Sequence, residues 1–223
     1  LAQDGARVVV NYLQNKDRAL ETCALVEEAG GQAKAIPGDV RSHDALKGLV
    51  AESVAWMGGV DALIHNAAIG ALKPMEKLRV SHWDLTLESS LRPFWLLSKL
   101  CLPHMRDGGS IIGLSSLGSR QFTPGYAAMG AAKGGLEALT RQLAVELAPQ
   151  LRVNTVCGGL VDTDAIQHIP GNETLRVEIA KATPLRRIGQ PEDIAGAVAL
   201  LLSDDARWIN GQVIVADGGL SCV

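Results

Sequence analysis

The chain has 223 residues, with 24 acidic against 21 basic side chains, a formal charge of −3 and an isoelectric point near 6.0. That length can bury one sizeable core and requires no second domain. The charge offers neither a basic stripe for nucleic acid nor a polybasic patch for a membrane surface. Apolar runs such as AGAVALLL fall well short of the ~20 residues of a membrane span, and no charged-then-apolar leader opens the chain. A soluble, cytoplasmic protein with small-molecule chemistry is expected. The cysteines Cys23, Cys101, Cys157 and Cys222 lack CxxC or Cys/His spacing. Reduced thiols follow, with no disulfide and no metal.

In chain order, LAQDGARVVVNY opens as the end of a helix leading into a first strand, Arg7 to Asn11. Asn15 then caps a helix with Ala19, Cys23 and Val26 on one face, stopped by Gly30 and Gly31. The second strand is Ala33 to Pro37, and Ser42 starts a helix with Leu46, Val50, Val54 and Met57 on its apolar face. The third strand runs from Ala62 to His65. Met75 to His104 reads as a long helix broken near Pro93. Ser110 to Leu114 is a fourth strand, Ala127 to Leu147 a helix ending before Pro149, and Arg152 to Val156 a fifth strand. Residues 164–190 carry few strand or helix signals and include Pro170 and Gly171; the sixth strand is Gln212 to Ala216.

Such alternation predicts an α/β fold, a Rossmann-like doubly wound parallel sheet in three layers α/β/α. The near-continuous apolar strands fit a sheet covered on both faces. In such folds the first strand and a glycine-rich turn hold a cofactor pyrophosphate on a helix N-terminus. No such strand and turn occur here. Either roughly twenty to twenty-five residues belong before Leu1, or the chain is a degraded form of the fold; the intact residues downstream favour the first. Dinucleotide binding by the 223 residues alone is expected to be poor.

YAAMGAAK, residues 126–133, places one of only two tyrosines seven positions before a lysine. Seven helical steps bring Lys133 to within ~20° of Tyr126 and about 10 Å along the axis, so the two share a face. A nearby ammonium can lower a phenol pKa, and a phenol can donate to a developing oxyanion. Taken alone, the pair reads more readily as a packed ring and a solvated charge than as a functional pair. Upstream, however, GGSIIGLSSLGSRQFTPG is a strand ending in hydroxyls and glycines, where ligands sit at the carboxyl edge of a parallel sheet.

Asp39 in GDV, HNAA (65–68), LSSLGS (114–119), the Tyr126/Lys133 pair, VNTVCGGLVDTDA (153–165), PEDIAGAVALLLS (191–203) and INGQVIVADGG (209–219) follow one another in a familiar order. With them the chain resembles the short-chain dehydrogenase/reductase family over essentially its whole length. Most members have the lysine four positions after the tyrosine; here that position is Gly130. The wider spacing resembles the family's enoyl-acyl-carrier-protein reductases, and LSSLGS with CGGLVDTDAI is similar to the NADPH-dependent type called FabL. The resemblance implies reduction of the double bond of trans-2-enoyl thioesters of acyl-carrier protein or CoA, in fatty acid biosynthesis. Carbonyl reduction or alcohol oxidation is the alternative, and an inactive oligomeric scaffold the alternative of another class.

The resemblance also implies roles. Tyr126 would donate to the thioester oxygen and Lys133 would hold the nicotinamide ribose hydroxyls, while Ser116 would add a hydrogen bond or simply end the strand. Asp39, with Val40 beside it, would accept from the adenine amino group. Asn66, Ala67 and Ala68 would pack around the adenosine ribose. Leu114, Gly158, Gly159 and Ser115, the last also read as structural, would border the cofactor, Val161 would meet the carboxamide through its backbone, and Thr163 would bond the carboxamide or a phosphate. Asn11 replaces an acidic residue that would repel a 2′-phosphate, and Lys16 is the nearest cation to receive one, which implies NADPH over NADH although Gln14 stands where the L-type enzymes offer arginine. Among departures, Ser90 stands where many relatives have asparagine, His65 reads as a strand-end histidine, and Cys157 as an inert buried thiol. Residues 164–190 match a mobile substrate lid; Met129 and Ile166 would line an apolar tunnel or pack the core. Arg186 and Arg187 would steer an acidic carrier or form a solvated charge pair. A homotetramer is expected, with neither nucleic acid nor membrane as partner.

Overall fold

Branched apolar side chains fit a pleated surface, and the runs rich in valine and isoleucine become the strands. The computed structural model describes residues 1–167 and 171–223. Among them the strands are Arg7–Tyr12 (β1), Gln32–Pro37 (β2), Val60–His65 (β3), Met105–Ser116 (β4), Arg152–Gly158 (β5) and Val213–Ala216 (β6). The helices are Lys16–Glu28 (α1), His43–Met57 (α2), Val80–Ser90 (α3), Arg92–Cys101 (α4), Ala127–Glu146 (α5), Asp164–Gln167 (α6), Asn172–Ala182 (α7) and Pro191–Leu202 (α8). Every strand pairing is parallel. β1 and β2 form a two-stranded piece, and β3-β4-β5-β6 a four-stranded one. Helix α2 packs on β1, β2 and α4 and so bridges the two pieces.

Asn15 and Ser42 cap α1 and α2 as expected, each side chain accepting a backbone N–H at 3.3 Å. The long helix expected between Met75 and His104 is instead a 3₁₀ turn at Met75–Lys77, then α3, then α4, then another 3₁₀ turn at Leu102–His104. Its break falls at Leu91, which places Pro93 in the first turn of α4, where the missing N–H removes no helical bond. The segment 164–190, expected to lack regular structure, contains α6 and α7. Helix α7 starts from Gly171 at φ 74° with no side-chain cap hydrogen bond, and the start signals present, Asn172 and Glu173, were not read as a helix. Residues 168–170 of that segment, Pro170 included, lie outside the described residues.

One apolar cluster joins α2, α4 and α5 to one sheet face through Leu46, Phe94, Leu136, Ile111 and Val153. The other joins α8 to the opposite face through Ile112, Val156, Val198 and Leu201. The alternation of Ile111 and Ile112 between clusters is the period-two geometry of a strand covered on both sides. Gly113 lies beneath α5: a Cβ there would come within 2.6 Å of the Leu136 side chain. The register pairing Ser110 with Arg152 and Ser116 with Gly158 brings the carboxyl ends of β4 and β5 level.

Candidate active site

Helix α5 buries two stripes, Ala128–Ala132–Leu136–Thr140–Ala144 and Met129–Lys133–Glu137. The alanines let it sit close on β4 and β5, and Thr140 is pinned to Thr155 of β5 by a 2.7 Å hydrogen bond. Lys133 is therefore only 5% exposed. Its Nζ donates to the Leu114 carbonyl at 2.7 Å, and burial pushes the ammonium pKa down to about 8.

Tyr126 is the N-cap of α5 rather than a residue within it, with φ −96° and ψ 10°. Its carbonyl nevertheless accepts the first helical bond, from the Gly130 N–H at 2.6 Å. The ring lies over Gly118, where any Cβ would press into it. The phenol shares a 2.9 Å hydrogen bond with Ser116 Oγ. Contrary to expectation, the Tyr126 pKa is raised: burial outweighs the lowering by the Ser116 bond, and Cys157 adds to the rise. The phenol is thus held as a proton donor. Tyr126 and Lys133 both reach the carboxyl end of β4, one at Ser116 and the other at Leu114.

The structure gives a reason for Gly130 and adds Glu137, which the sequence reading passed over. A Cβ on Gly130 would stand 2.7 Å from the Gly118 carbonyl oxygen, so no side chain fits four positions after Tyr126 unless the 114–119 turn moves. Glu137, 5% exposed, accepts from Ser115 Oγ and Ser119 Oγ at 2.6 Å each and from Arg120 Nε at 3.0 Å. A carboxylate at i+4 from a lysine on an apolar stripe was the signal available for it. Cys157 beside them is fully buried, and burial, reinforced by Glu137, pushes its thiol up to about 11.

The cofactor candidates fall into groups. Asn11, Tyr12, Asp39, Val40, Ala67 and Ala68 line a cavity of about 180 Å³ beyond the ends of β1 and β2. The Asn11 amide donates to the Ile36 and Gly38 carbonyls, which fixes it at the strand crossing. Asp39 is gripped by Arg41, whose guanidinium and backbone bonds hold its carboxyl below the usual range. Arg41 was not singled out in the sequence. Leu114, Ser115, Ser116, Tyr126 and Lys133 gather at the end of β4, facing Gly158 of β5 across the register. Gly159 lines a separate cavity of about 220 Å³ with Asp217 and Gly218. Asn66, Thr163 and Lys16 are exposed, and Lys16 lies outside the cavity lined by Asn11.

Two features fit a nicotinamide nucleotide. Lys133 spends one of its three N–H donors on Leu114, leaving two for hydroxyl groups. Val161 bridges Gly189 in parallel through the flanking bonds Asp162 N–H to Gly189 O and Gly189 N–H to Leu160 O. In that pattern the amide N–H and carbonyl of Val161 itself point away from Gly189, a donor and acceptor matched to a carboxamide.

Residues 1–221 match the family model described as enoyl-(acyl carrier protein) reductase. The chain is 40% identical over 227 residues to 1-cyclohexenylcarbonyl-CoA reductase of Streptomyces collinus, covering 100% of this chain and 81% of that protein. It is 32% identical to the 3-oxoacyl-acyl-carrier-protein reductase FabG of Staphylococcus epidermidis, over 99% of this chain and 91% of that one. The chain belongs to the short-chain dehydrogenase/reductase family. Its fold superimposes on the short-chain dehydrogenase/reductase SDR:glucose/ribitol dehydrogenase of Brucella melitensis with a TM-score of 0.90 at 31% identity, covering 98% of this chain and 88% of that one. It is accordingly an oxidoreductase of a family that uses nicotinamide cofactors.

Within this short-chain dehydrogenase/reductase the departures have physical outcomes. His65 is 2% exposed, its Nε2 lies 3.2 Å from the Ser90 carbonyl, and burial lowers its pKa to about 4, so it is a neutral strand-end residue. Ser90 Oγ accepts from the Ile69 N–H and donates to the Ile69 carbonyl, tying α3 to the loop after β3. Met129 packs against Gly70 and is buried, as is Ile166. Arg187 is paired with Asp193 and Arg186 donates to the Lys181 carbonyl, so both guanidinium groups have partners within the chain. Ion pairs Arg18–Asp164 and Arg176–Asp162 fasten the segment containing α6 and α7. Among the described residues no helix is long and apolar enough to cross a membrane.

Proposed function

We propose that the chain reduces the carbon–carbon double bond of trans-2-enoyl thioesters on acyl-carrier protein or CoA with NADPH, as a FabL-type enoyl reductase of fatty acid biosynthesis. The observation that carries this reading is the contact of Gly130 with Gly118, which excludes a side chain at the position most relatives use for lysine and leaves the ammonium to Lys133. The relative from Streptomyces collinus, named for a CoA thioester with a ring double bond beside its carbonyl, supports it.

Lys133 would hold the nicotinamide ribose through its two spare N–H donors and the Val161 backbone would orient the carboxamide, so that bound NADPH would supply hydride for the β-carbon of the enoyl group. As the electron pair of the double bond moves toward the thioester oxygen, the Tyr126 phenol, kept protonated by burial, donates its proton to that oxygen. The enol then tautomerises to the saturated thioester, its O–H proton leaving as the α-carbon takes one from solvent, which also reprotonates the phenolate. Ser116 holds the phenol in place. Asn11, a neutral amide, leaves the ribose 2′-position free of repulsion, which favours NADPH. The chain acts as one dinucleotide-binding unit, residues 164–190 serve as its substrate lid, and homotetramers form through the long helices and the C-terminal strand.

NADPH oxidation tests the proposal with crotonyl-CoA and acetoacetyl-CoA compared side by side. A kcat/KM at least about tenfold higher on crotonyl-CoA is expected, since differential transition-state binding sets such ratios. The reverse preference would make the chain a carbonyl reductase, the reading that the 2.9 Å Ser116–Tyr126 pair and the FabG relative favour.

A further inference from the structure

We infer that Glu137 is a positioning residue, whose buried carboxylate sets the turn that holds Ser116 against the Tyr126 phenol. The inference rests on Tyr126 being the proton donor of the proposed reaction. A carboxylate taken out of water is costly unless hydrogen-bonded donors replace its hydration. At Glu137 all three side-chain donors come from one stretch of chain, Ser115, Ser119 and Arg120, which flanks Ser116 on both sides. The 2.6 Å bonds from the two serines are short charge-assisted ones, and the Arg120 guanidinium closes the outer oxygen. Ser119 Oγ also lies 2.7 Å from the Ser116 carbonyl, so its one O–H is shared between that oxygen and Glu137 and the clamp reaches the backbone of Ser116 itself.

The geometry explains why a charge is kept there. Tyr126 caps α5, Lys133 and Glu137 follow on its buried stripe, and the turn is the opposite wall. Fastening that wall to Glu137 makes one helix set the Ser116–Tyr126 distance and the Lys133–Leu114 bond together. An apolar residue at 137 would pack but would leave Ser115 Oγ and Arg120 Nε without their acceptor and Ser119 with the Ser116 carbonyl alone.

The test measures crotonyl-CoA reduction by Glu137→Gln, Ser116→Ala and the double variant, with a crystal structure of Glu137→Gln. A misplacement of about 1 Å can cost up to ~100-fold, so a partly loosened turn is expected to lower kcat about tenfold while KM changes less than about twofold. The double variant should be no slower than Ser116→Ala alone, because Glu137 acts through Ser116. In the crystal structure Ser116 Oγ should lie beyond about 3.5 Å from the Tyr126 oxygen. An unchanged kcat, multiplying effects, or a retained Ser116–Tyr126 bond overturns the inference. If Glu137→Gln does not accumulate folded, Ser119→Ala loosens the same clamp and must show the same coupling to Ser116→Ala. If the wild type reduces only acetoacetyl-CoA, the enoyl reading fails while the same series on that substrate still decides the role of Glu137. If neither thioester turns over, the crystal structure decides it alone.

Discussion

Replacing Lys133 by methionine should stabilise the protein while abolishing its chemistry. The side chain is 5% exposed, and burial alone moves its pKa from 10.5 to about 8. At 1.36 kcal/mol per pKa unit, holding the ammonium charged inside costs ~3 kcal/mol at neutral pH. Methionine keeps an unbranched apolar stem and removes the charge, at the loss of the bond to the Leu114 carbonyl, worth about 1 kcal/mol. The net gain at pH 7 is therefore ~2 kcal/mol. Its pH dependence has a definite sign. Between about 8 and 10.5 the unfolded chain binds more protons than the folded one, so the wild type gains stability with rising pH across that window. The advantage of Lys133→Met should accordingly shrink by ~2 kcal/mol between pH 7 and about pH 9.5. Urea unfolding of both proteins at the two pH values measures this, and NADPH oxidation measures the loss of turnover. A variant less stable than wild type at pH 7, or an advantage of equal size at both pH values, would refute the account of Lys133 as a desolvated charge retained for binding.

Three further outcomes are expected. Tyr126→Phe removes the donor and should lower kcat on crotonyl-CoA about 100- to 1,000-fold, the usual cost of losing one oxyanion donor, with a thioester KM within a few-fold of wild type. Steady-state kinetics checks it, and undiminished turnover excludes the phenol from the chemistry. Gly118→Ala drives a methyl into the Tyr126 ring and should reduce kcat at least about tenfold, with a stability loss of ~1–3 kcal/mol visible in thermal melts. His65 is held neutral with a pKa of about 4 against 6.5, so its contribution to stability is complete above about pH 6.5 and lost as pH falls to about 4, an effect of ~3 kcal/mol. His65→Asn should show a correspondingly shallower loss of stability between pH 7 and 4 in urea titrations.

The six strands were legible as short branched apolar runs, but not all their bounds. β4 runs from Met105 to Ser116 instead of Ser110 to Leu114, β3 starts at Val60 instead of Ala62, and β5 ends at Gly158 instead of Val156, because pairing to a neighbouring strand extends each beyond its apolar run. Asn15 and Ser42 act through their own side chains within three residues, the kind of contact a sequence displays directly. The helices were less legible where tertiary contacts decide. The break at Leu91 carries no proline of its own, since Pro93 fits the first turn of α4 and so marks a start instead of a kink. Helix α7 lacks a side-chain cap hydrogen bond, and its Thr174, Val177 and Ile179 lower the local preference for helix against the weak signals of Glu173 and Lys181 at its ends.

The site divides in the same way. Tyr126 and Lys133 could be paired from a seven-residue interval because helical geometry relates them. The expected lowering of the phenol pKa failed because a spacing says nothing about burial, which dominates at both groups and moves them in opposite directions, the phenol up and the ammonium down. Each shift favours the uncharged form, as desolvation requires. Gly118 and Glu137 escaped, and the reason for Gly130 stayed hidden, because these roles lie in approaches between segments eight or more residues apart. Those approaches nevertheless account for the spacing that the sequence displays. Gly130 meets the Gly118 carbonyl, so the lysine must come from the next turn; there its stripe is buried, so the ammonium is desolvated and free to bind hydroxyls; one further turn along, Glu137 secures the very segment whose closeness excluded a side chain at 130. A lysine introduced at 130 would open that contact and loosen the Glu137 clamp together. A four-residue spacing in this protein therefore requires a different turn, and a point substitution alone cannot supply it.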